Sequence, residues 1–262
     1  MDITPWEKVK LARMPLRPTG LDYINQIFEN FIELHGDRRF SDDKAIVGGI
    51  AFLGELPVTV IAQQKGRNTK ENIARNFAMP HPEGYRKALR LMKQAEKFHR
   101  PILCFIDTPG AFCGIGAEER GQGEAIATNL AHMMLLKTPI ISFVISEGGS
   151  GGALALGVAD RIYMLEHAVY SILSPEGFAS ILYKDASKAE QAAHHMKLTS
   201  KDLLEYEIID GIIPEPVGGA HNDKEMVIKN VKGILEEELK NLLTQPIDQL
   251  LEKRYQKYRK IF

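Results

Sequence analysis

Cysteine is nearly absent: among 262 residues the only thiols are Cys104 and Cys113. Two thiols in a chain of this length make no disulfide framework. No Cys/His set has the spacing of a zinc site, so no metal is expected in this chain. Charge of one sign is also lacking. Lys and Arg total 33 against 34 Asp and Glu, a net charge of −1. Nucleic-acid proteins usually carry a basic excess, so no nucleic-acid partner is expected. Long apolar runs are missing as well: PIISFVI is far too short to span a bilayer. The opening segment MDITPWEKVKLARMP has no apolar core of a signal peptide. A cytoplasmic, reducing setting with no membrane span is the resulting expectation. Finally, the chain contains no Gly-Lys pair. That excludes a phosphate loop of the form G-x-x-x-x-G-K-[ST], although Asp107-Thr108-Pro109-Gly110 matches the metal-side motif of GTPases.

What is present is an ordinary globular composition, 44% hydrophobic and 26% charged. A chain this long buries roughly 70–75% of its unfolded surface. Residues 1–18 read as a polar arm, with Pro5, Pro15 and Pro18 limiting helix. Thr19 then reads as an N-cap. Leu21, Ile24, Ile27, Phe28, Phe31 and Leu34 follow at helical spacing, with Gly36 as the stop. AIVGGIAFL and PVTVIAQQ predict a hairpin. A long polar loop and a helix over about 83–99 come next. The chain then repeats itself with a period of 38 residues, PILCFIDTPG from Pro101 and PIISFVISEGG from Pro139. Each copy predicts a buried strand, a glycine-rich turn and a helix, the first helix over about 118–136 and the second from near Gly151. Such alternation predicts parallel strands covered on both faces. RIYMLE and VYSIL read as short strands, Ser174 as an N-cap, Thr199-x-x-Asp202 as a capping box, and the last forty residues as helical. Nothing resembling a linker divides the chain. It is therefore expected to form a single domain over 1–262: an N-terminal arm and helix (1–40), a core (41–215) and C-terminal helices (216–262).

The candidate chemistry lies in the two glycine-rich turns. Gly148-Gly149-Ser150-Gly151-Gly152 sits between strand and helix. Glycines let a substrate approach the main chain. The helix start supplies unpaired N–H groups and a positive dipole end. Together these suit a negatively charged oxygen. A tight packing turn accounts for the same glycines equally well. The five residues also match G-x-S-x-G, which would make Ser150 a nucleophile with His167, His194 or His195 as base. In the first turn, Gly114-Ile115-Gly116 lacks the third glycine of a dinucleotide fingerprint. Glu118, Glu119 and Arg120 open the next helix, where dipole stabilisation explains the carboxylates better than catalysis does. Lys65, Arg67, Lys70 and Arg75 form a basic stretch that suits either an anion or solvent. In KRYQKYRK, Tyr255 and Tyr258 are expected to pack inward.

Four longer blocks carry a resemblance. QKGRNTKENIARNFAMPHPEGYRKALRLM, FIDTPGAFCGIGAEERGQGEAIA, ISEGGSGGALALGVADRIYMLEHAVYSILSPEGFASILYK and IIDGIIPEPVGGAH, in that order, resemble the α subunits of bacterial acetyl-CoA carboxylase carboxyltransferase over about residues 21–221. The resemblance implies an α/β fold of the crotonase-like (ClpP/crotonase) type, with repeated ββα units and helical N- and C-terminal ends. It implies transfer of a carboxyl group from carboxybiotin to acetyl-CoA, giving malonyl-CoA for fatty-acid biosynthesis. The biotin would ride on the biotin carboxyl carrier protein rather than bind covalently here. It also implies an α2β2 heterotetramer with a carboxyltransferase β subunit, within a larger complex containing biotin carboxylase. Carried over by position, Gly151 and Gly152 supply backbone N–H donors to the biotin ureido oxygen, and Gly114-Ile115 would be a second donor turn. Two departures stand out. Many relatives have a longer N-terminal helical extension, and many read Tyr-Pro where this chain has Phe112-Cys113. Losing proline restores an N–H and frees φ, and it leaves Cys113 as a candidate accessible thiol. On residues alone three rivals stay open: an acyl-CoA hydratase or isomerase, a serine hydrolase using Ser150, and a non-catalytic scaffold.

Overall fold

The computed structural model describes residues 3–260. The chain opens with a helix where the proline-bearing arm was expected. α1 (Pro5–Ala12) starts with Pro5 in its first turn, where a missing N–H costs nothing, and Thr4 and Glu7 close a capping box over it. α2 (Gly20–Ile27) buries Tyr23, Ile24 and Ile27. The helical spacing that continues to Leu34 is not used. Phe28 turns extended and β1 (Glu29–Glu33) pairs antiparallel with β2 (Ile46–Leu53). Sheet pairing at that open edge satisfies backbone groups that a longer surface helix would not, so tertiary context overrides the pattern.

β2 and β3 (Leu56–Gln63) form the expected hairpin around Gly54, whose φ is +59°. α3 (Thr69–Ala74) lies in the polar loop, and α4 (Pro82–Lys97) returns along the sheet with Ala88, Leu91, Met92 and Ala95 buried. β4 (Ile102–Thr108) and β5 (Ile140–Gly149) are parallel neighbours. Ile102 pairs with Ile140 and Phe105 with Phe143, so the 38-residue sequence period is the register of this pairing. The helix between them is broken in two, α5 (Ile115–Glu119) and α6 (Gln122–Leu135), at Gly121, where φ is +82°. α7 (Ser150–Leu154) follows β5. Beyond it come β6 (Arg161–Leu165), β7 (Val169–Ser171), α8 (Pro175–Leu182), α9 (Ala189–His195), α10 (Ser200–Glu205), β8 (Gly211–Ile213), α11 (Lys224–Leu243) and α12 (Ile247–Arg259). Ser174 and Thr199 cap α8 and α10 as expected.

The strands form one eight-stranded sheet in the order β1-β2-β3-β4-β5-β6-β8, parallel from β3 onward. β7 pairs instead with the far end of β5, at Glu147 to Gly149. A ladder of rings crosses the core from Tyr23 to Phe105, Phe143 and Tyr163, with centroids 5.4, 5.5 and 6.0 Å apart. Cys104 is fully buried there, and burial pushes its thiol up to about 12.

Buried ion pairs tie both ends of the chain to this sheet. Arg17 grips Glu215 through both guanidinium nitrogens, at 2.8 and 2.7 Å, and donates to the Ile145 carbonyl. Arg254 of α12 is fully buried. It holds Asp160 at 2.8 and 2.7 Å and donates to the carbonyls of Met133, Leu136 and Thr138. The inward residue of the basic terminal stretch is thus an arginine. Tyr258 half-buries and hydrogen-bonds Gly157 and Ala159, whereas Tyr255 is 51% exposed, against the expectation that it packs inward. Among the described residues no helix is long and apolar enough to cross a membrane.

Candidate active site at the stacked glycine turns

β4 and β5 end side by side, so the turns that leave them meet. At Gly149 a Cβ would lie 2.1 Å from the Pro109 carbonyl oxygen. At Gly152 it would lie 2.5 Å from the Ala111 nitrogen and 2.8 Å from the Tyr85 hydroxyl. These two glycines are packing glycines: the turns touch backbone to backbone. Gly151 differs. A Cβ there would meet only Ile126, at an ordinary 3.5 Å. Nothing in the packing demands glycine at 151, and the space above its main chain is open to an approaching atom.

Polar side chains lock the stack from beneath. Gln63, at the end of β3, donates to the Gly152 carbonyl at 2.8 Å and accepts from the Asp107 N–H at 3.2 Å. The Thr108 hydroxyl lies within hydrogen-bond reach of the Ala78 and Gly110 carbonyls, donating its one hydrogen between them, and accepts from the Gly110 N–H. Gln122 donates to the carbonyls of Pro80 and Phe112, both at 2.8 Å. The Phe112 ring lies against His81, centroids 4.5 Å apart. Sequence reading gave no site role to Gln63, Thr108, Gln122 or Tyr85. The signal for Gln63 was there: a long polar residue closing a strand whose only other polar residue is Thr59.

α7 begins at Ser150, and the first N–H groups of a helix have no partner within it. Those of Gly151 and Gly152 stand at that start. Gly114 is the N-cap of α5, and Ile115, its first residue, is 80% exposed. The contacts at Gly152 come from Gly110, Ala111 and Tyr85, while a Cβ at Gly114 would meet the Phe112 ring. The structure therefore joins Gly149 and Gly152 to the near part of the first turn, with Gly151 between them, and sets Gly114-Ile115 further along it. A groove of about 850 Å³ reaches Ser150 and Gly151, walled by Leu130, Met134, Leu154, Val158, Tyr170 and Ile172.

Charges beside the turns are fixed by one another. Lys65 lies 2.7 Å from Asp107 and 2.8 Å from Glu147, and Glu147 also takes Arg13 at 2.8 Å. Burial alone would raise the Glu147 carboxyl, but Lys65 and then Arg13 outweigh it and hold it below its usual range. Burial alone would lower the Lys65 ammonium, but Asp107 and Glu147 raise it above its usual range. Both stay ionised at neutral pH, so neither is poised as an acid or base. The rest of the basic stretch disperses: Arg67 pairs with Asp22, Arg75 donates to the Lys44 carbonyl, and Lys70 is exposed. Arg120 binds Glu83 and lies over the Phe40 ring.

Ser150 has φ of +56°, the left-handed turn of a nucleophile elbow. Among the described residues no histidine bonds its hydroxyl. His167 sits by Glu215 with Nδ1 unpartnered, and His195 pairs with the Tyr183 hydroxyl. The elbow has its nucleophile and no base.

The sheet, the stacked turns and the free helix start define a class. Transcarboxylase 12S shares the architecture with a TM-score of 0.71 at 17% identity, covering 94% of this chain and 46% of that one. A malonate decarboxylase hetero-tetramer from Pseudomonas shares it with a TM-score of 0.65 at 20% identity, covering 82% and 86%. The fold is the crotonase-like fold of carboxyltransferases. The chain belongs to the acetyl co-enzyme A carboxylase carboxyltransferase-like family, whose model matches residues 1–262. Its relatives include proteins named acetyl-coenzyme A carboxylase carboxyl transferase subunit alpha. The one from Clostridium perfringens is 65% identical over 256 residues, 98% of this chain and 94% of the relative. The one from Alkaliphilus oremlandii is 62% identical, over 99% and 82%.

Proposed function

We propose that this chain is the α-type subunit of a biotin-dependent acetyl-CoA carboxyltransferase, taking the carboxyl group of carboxybiotin to acetyl-CoA and forming malonyl-CoA for fatty-acid biosynthesis in the cytoplasm. The observation that carries the chemistry is Gly151 in the first turn of a helix, where N–H groups have no partner within the helix, with open space on its Cβ side. When the carboxyl group leaves, negative charge grows on the ureido oxygen. The N–H groups of Gly151 and Gly152 are fixed in advance and stabilise it without reorganising. Gly114 and Ile115 form a second, more exposed donor turn. The ureido nitrogen freed of its carboxyl group would accept the acetyl-CoA methyl proton, so no side-chain base is required, which agrees with Glu147 and Lys65 holding each other ionised.

The residues present fit a carried biotin. The groove beside Gly151 is apolar and open at the surface, as a tethered bicyclic ring needs. Biotin arrives on the biotin carboxyl carrier protein, loaded by biotin carboxylase. Acetyl-CoA arrives on a carboxyltransferase β subunit in an α2β2 heterotetramer. The chain works as one domain, its ends fastened by Arg17–Glu215 and Arg254–Asp160.

The test is reconstitution. The chain alone should form no malonyl-CoA, and adding a cognate β subunit with carboxylated carrier should restore it. Replacing Gly151 by glycolate removes one N–H and adds no bulk. Turnover should drop about 10²–10³-fold with assembly intact. Full activity of the glycolate variant would defeat the backbone-donor reading, and activity of the chain alone would defeat the subunit reading.

A further inference from the structure

Four cations gather where α4 meets the loop after β1, and none has a carboxylate. Arg13, Arg17, Arg86, Arg120, Arg161 and Arg254 each hold an acidic partner within 3.3 Å. Arg38, Arg39, Arg90 and Lys93 form no ion pair among the described residues. Arg38 donates to the His35 carbonyl, and Arg90 to the carbonyls of Gly36 and His35. Burial first, and then the charge of Arg38, hold the Arg90 guanidinium below its usual range. Asp42 and Asp37 act the other way on Arg90 and offset only part of this, without forming an ion pair with it.

Three of these side chains line one groove of about 280 Å³ between α4 and α6. Arg86, Arg90 and Lys93 follow one face of α4, at i, i+4 and i+7, and Arg39 closes over them from the loop. Two carboxylates share the groove, and neither forms an ion pair with Arg39, Arg90 or Lys93. Asp37 is saturated by the N–H groups of Arg39, Phe40 and Ser41 and by Arg86. Glu124 turns back toward Gly121, at the start of α6. Leu89 and Ala125 give the groove an apolar wall.

Its floor includes Asn129, which is fully buried. The Asn129 amide donates to the Ala155 carbonyl at 3.3 Å, and its Oδ1 has no partner. Ala155 ends α7, and its N–H is bonded to the Gly151 carbonyl at 2.9 Å. One side chain thus links this groove to the helix of the glycine site.

We propose that the groove between α4 and α6 binds a small phosphate monoester whose organic part donates a hydroxyl hydrogen bond to the unpartnered Asn129 Oδ1, and that its occupancy tightens α7 through Asn129. Two guanidinium forks and an ammonium suit a dianionic phosphate. The wall of Leu89 and Ala125 takes the organic part. The inference does not depend on the function proposed above, and its readouts are binding and amide exchange.

The experiment is calorimetric titration of the full chain with glycerol 3-phosphate, inorganic phosphate and sulfate. Glycerol 3-phosphate should bind saturably and more tightly than inorganic phosphate. Arg90→Gln should weaken it about tenfold or more, the usual effect of losing a hydrogen bond to a charged group. Lys93→Gln, at an exposed position, should weaken it severalfold with the fold unchanged. Lys240→Gln on α11 should change nothing. Amide exchange over residues 151–155 should slow with ligand in the wild type and not in Arg90→Gln. The site is overturned by an absence of saturable binding, or by Lys240→Gln weakening binding as much as Lys93→Gln does. Equal affinity for inorganic phosphate and the monoester overturns the assigned ligand. Binding without slowed exchange overturns the link to α7.

Discussion

Within the run Gly148–Gly152, chemically similar positions do different things. Gly152 is closed in by the Ala111 nitrogen and the Tyr85 hydroxyl, whereas Gly151 faces open space. Gly152→Ala must push backbone apart and should cost about 1–3 kcal/mol, as overpacking does. Gly151→Ala should fold with nearly wild-type stability; denaturant midpoints of the two variants check this. Ser150 gives the opposite expectation. Its φ of +56° is unfavourable for a residue with a Cβ. Ser150→Gly should therefore raise stability by about 1 kcal/mol and leave carboxyl transfer within a few-fold of wild type. A loss of activity with intact assembly would return the serine hydroxyl to the mechanism. From sequence the run fitted a packing turn, a nucleophile elbow at Ser150 or an anion site, and Gly151 and Gly152 were put together as donors. The distinction between Gly151 and Gly152 depends on what residues 109–111 and Tyr85 bring against them, and no local pattern encodes that.

Individual elements were legible to differing degrees, and the reason is where their partners lie. The hairpin, α4 and the β4–β5 repeat carry their signals within a few residues or in a matching copy. β1 was read as helix because Phe31 and Leu34 continue the spacing of α2, while its strand character comes from the edge of β2. α1 was missed because prolines were taken as breakers, although Pro5 stands where a helix begins. α12 was read correctly as helical, but its anchor was not seen. Arg254 is inside because Asp160 and three carbonyls await it. Arg254→Met leaves the Asp160 carboxylate buried alone and should cost about 3–5 kcal/mol, and pairing it with Asp160→Asn should recover part of that. Limited proteolysis within residues 246–260, compared across the single and double variants, measures how firmly α12 is held.

Across the whole molecule, stability toward acid rests on carboxylates that stay ionised. The Asp42 carboxyl is lowered from 3.8 to about 2. Burial opposes this, and Lys87, with the Gly36 N–H and His35, wins. Glu147 and Glu215 are held below 4.5 by Lys65 with Arg13 and by Arg17, against burial. Carboxyls lower in the folded state contribute stability that is fully present above their ordinary values and is lost as pH falls through the folded ones. Burial holds the His167 imidazole below its ordinary 6.5, so stability should slip slightly as pH falls through that value, and the main drop should come between roughly 4.5 and 2. Lys65, raised in the folded state, contributes stability that persists below its ordinary 10.5 and is lost above it. Thermal midpoints taken from about pH 2 to above the ordinary 10.5 of Lys65 test both limbs. Glu147→Gln should lower stability at neutral pH and flatten the acid limb.

The contact of Gly149 with Pro109, and of Gly152 with Ala111, has a historical consequence as well. Neither turn can accept a bulkier residue unless the other has already moved. Mutations at 149 or 152 are screened by the residues at 109–111, and the reverse holds. Two stretches far apart along the chain are in this way bound to a shared rate of change. Loops at such surfaces usually drift freely among descendants, but these two can do so only together.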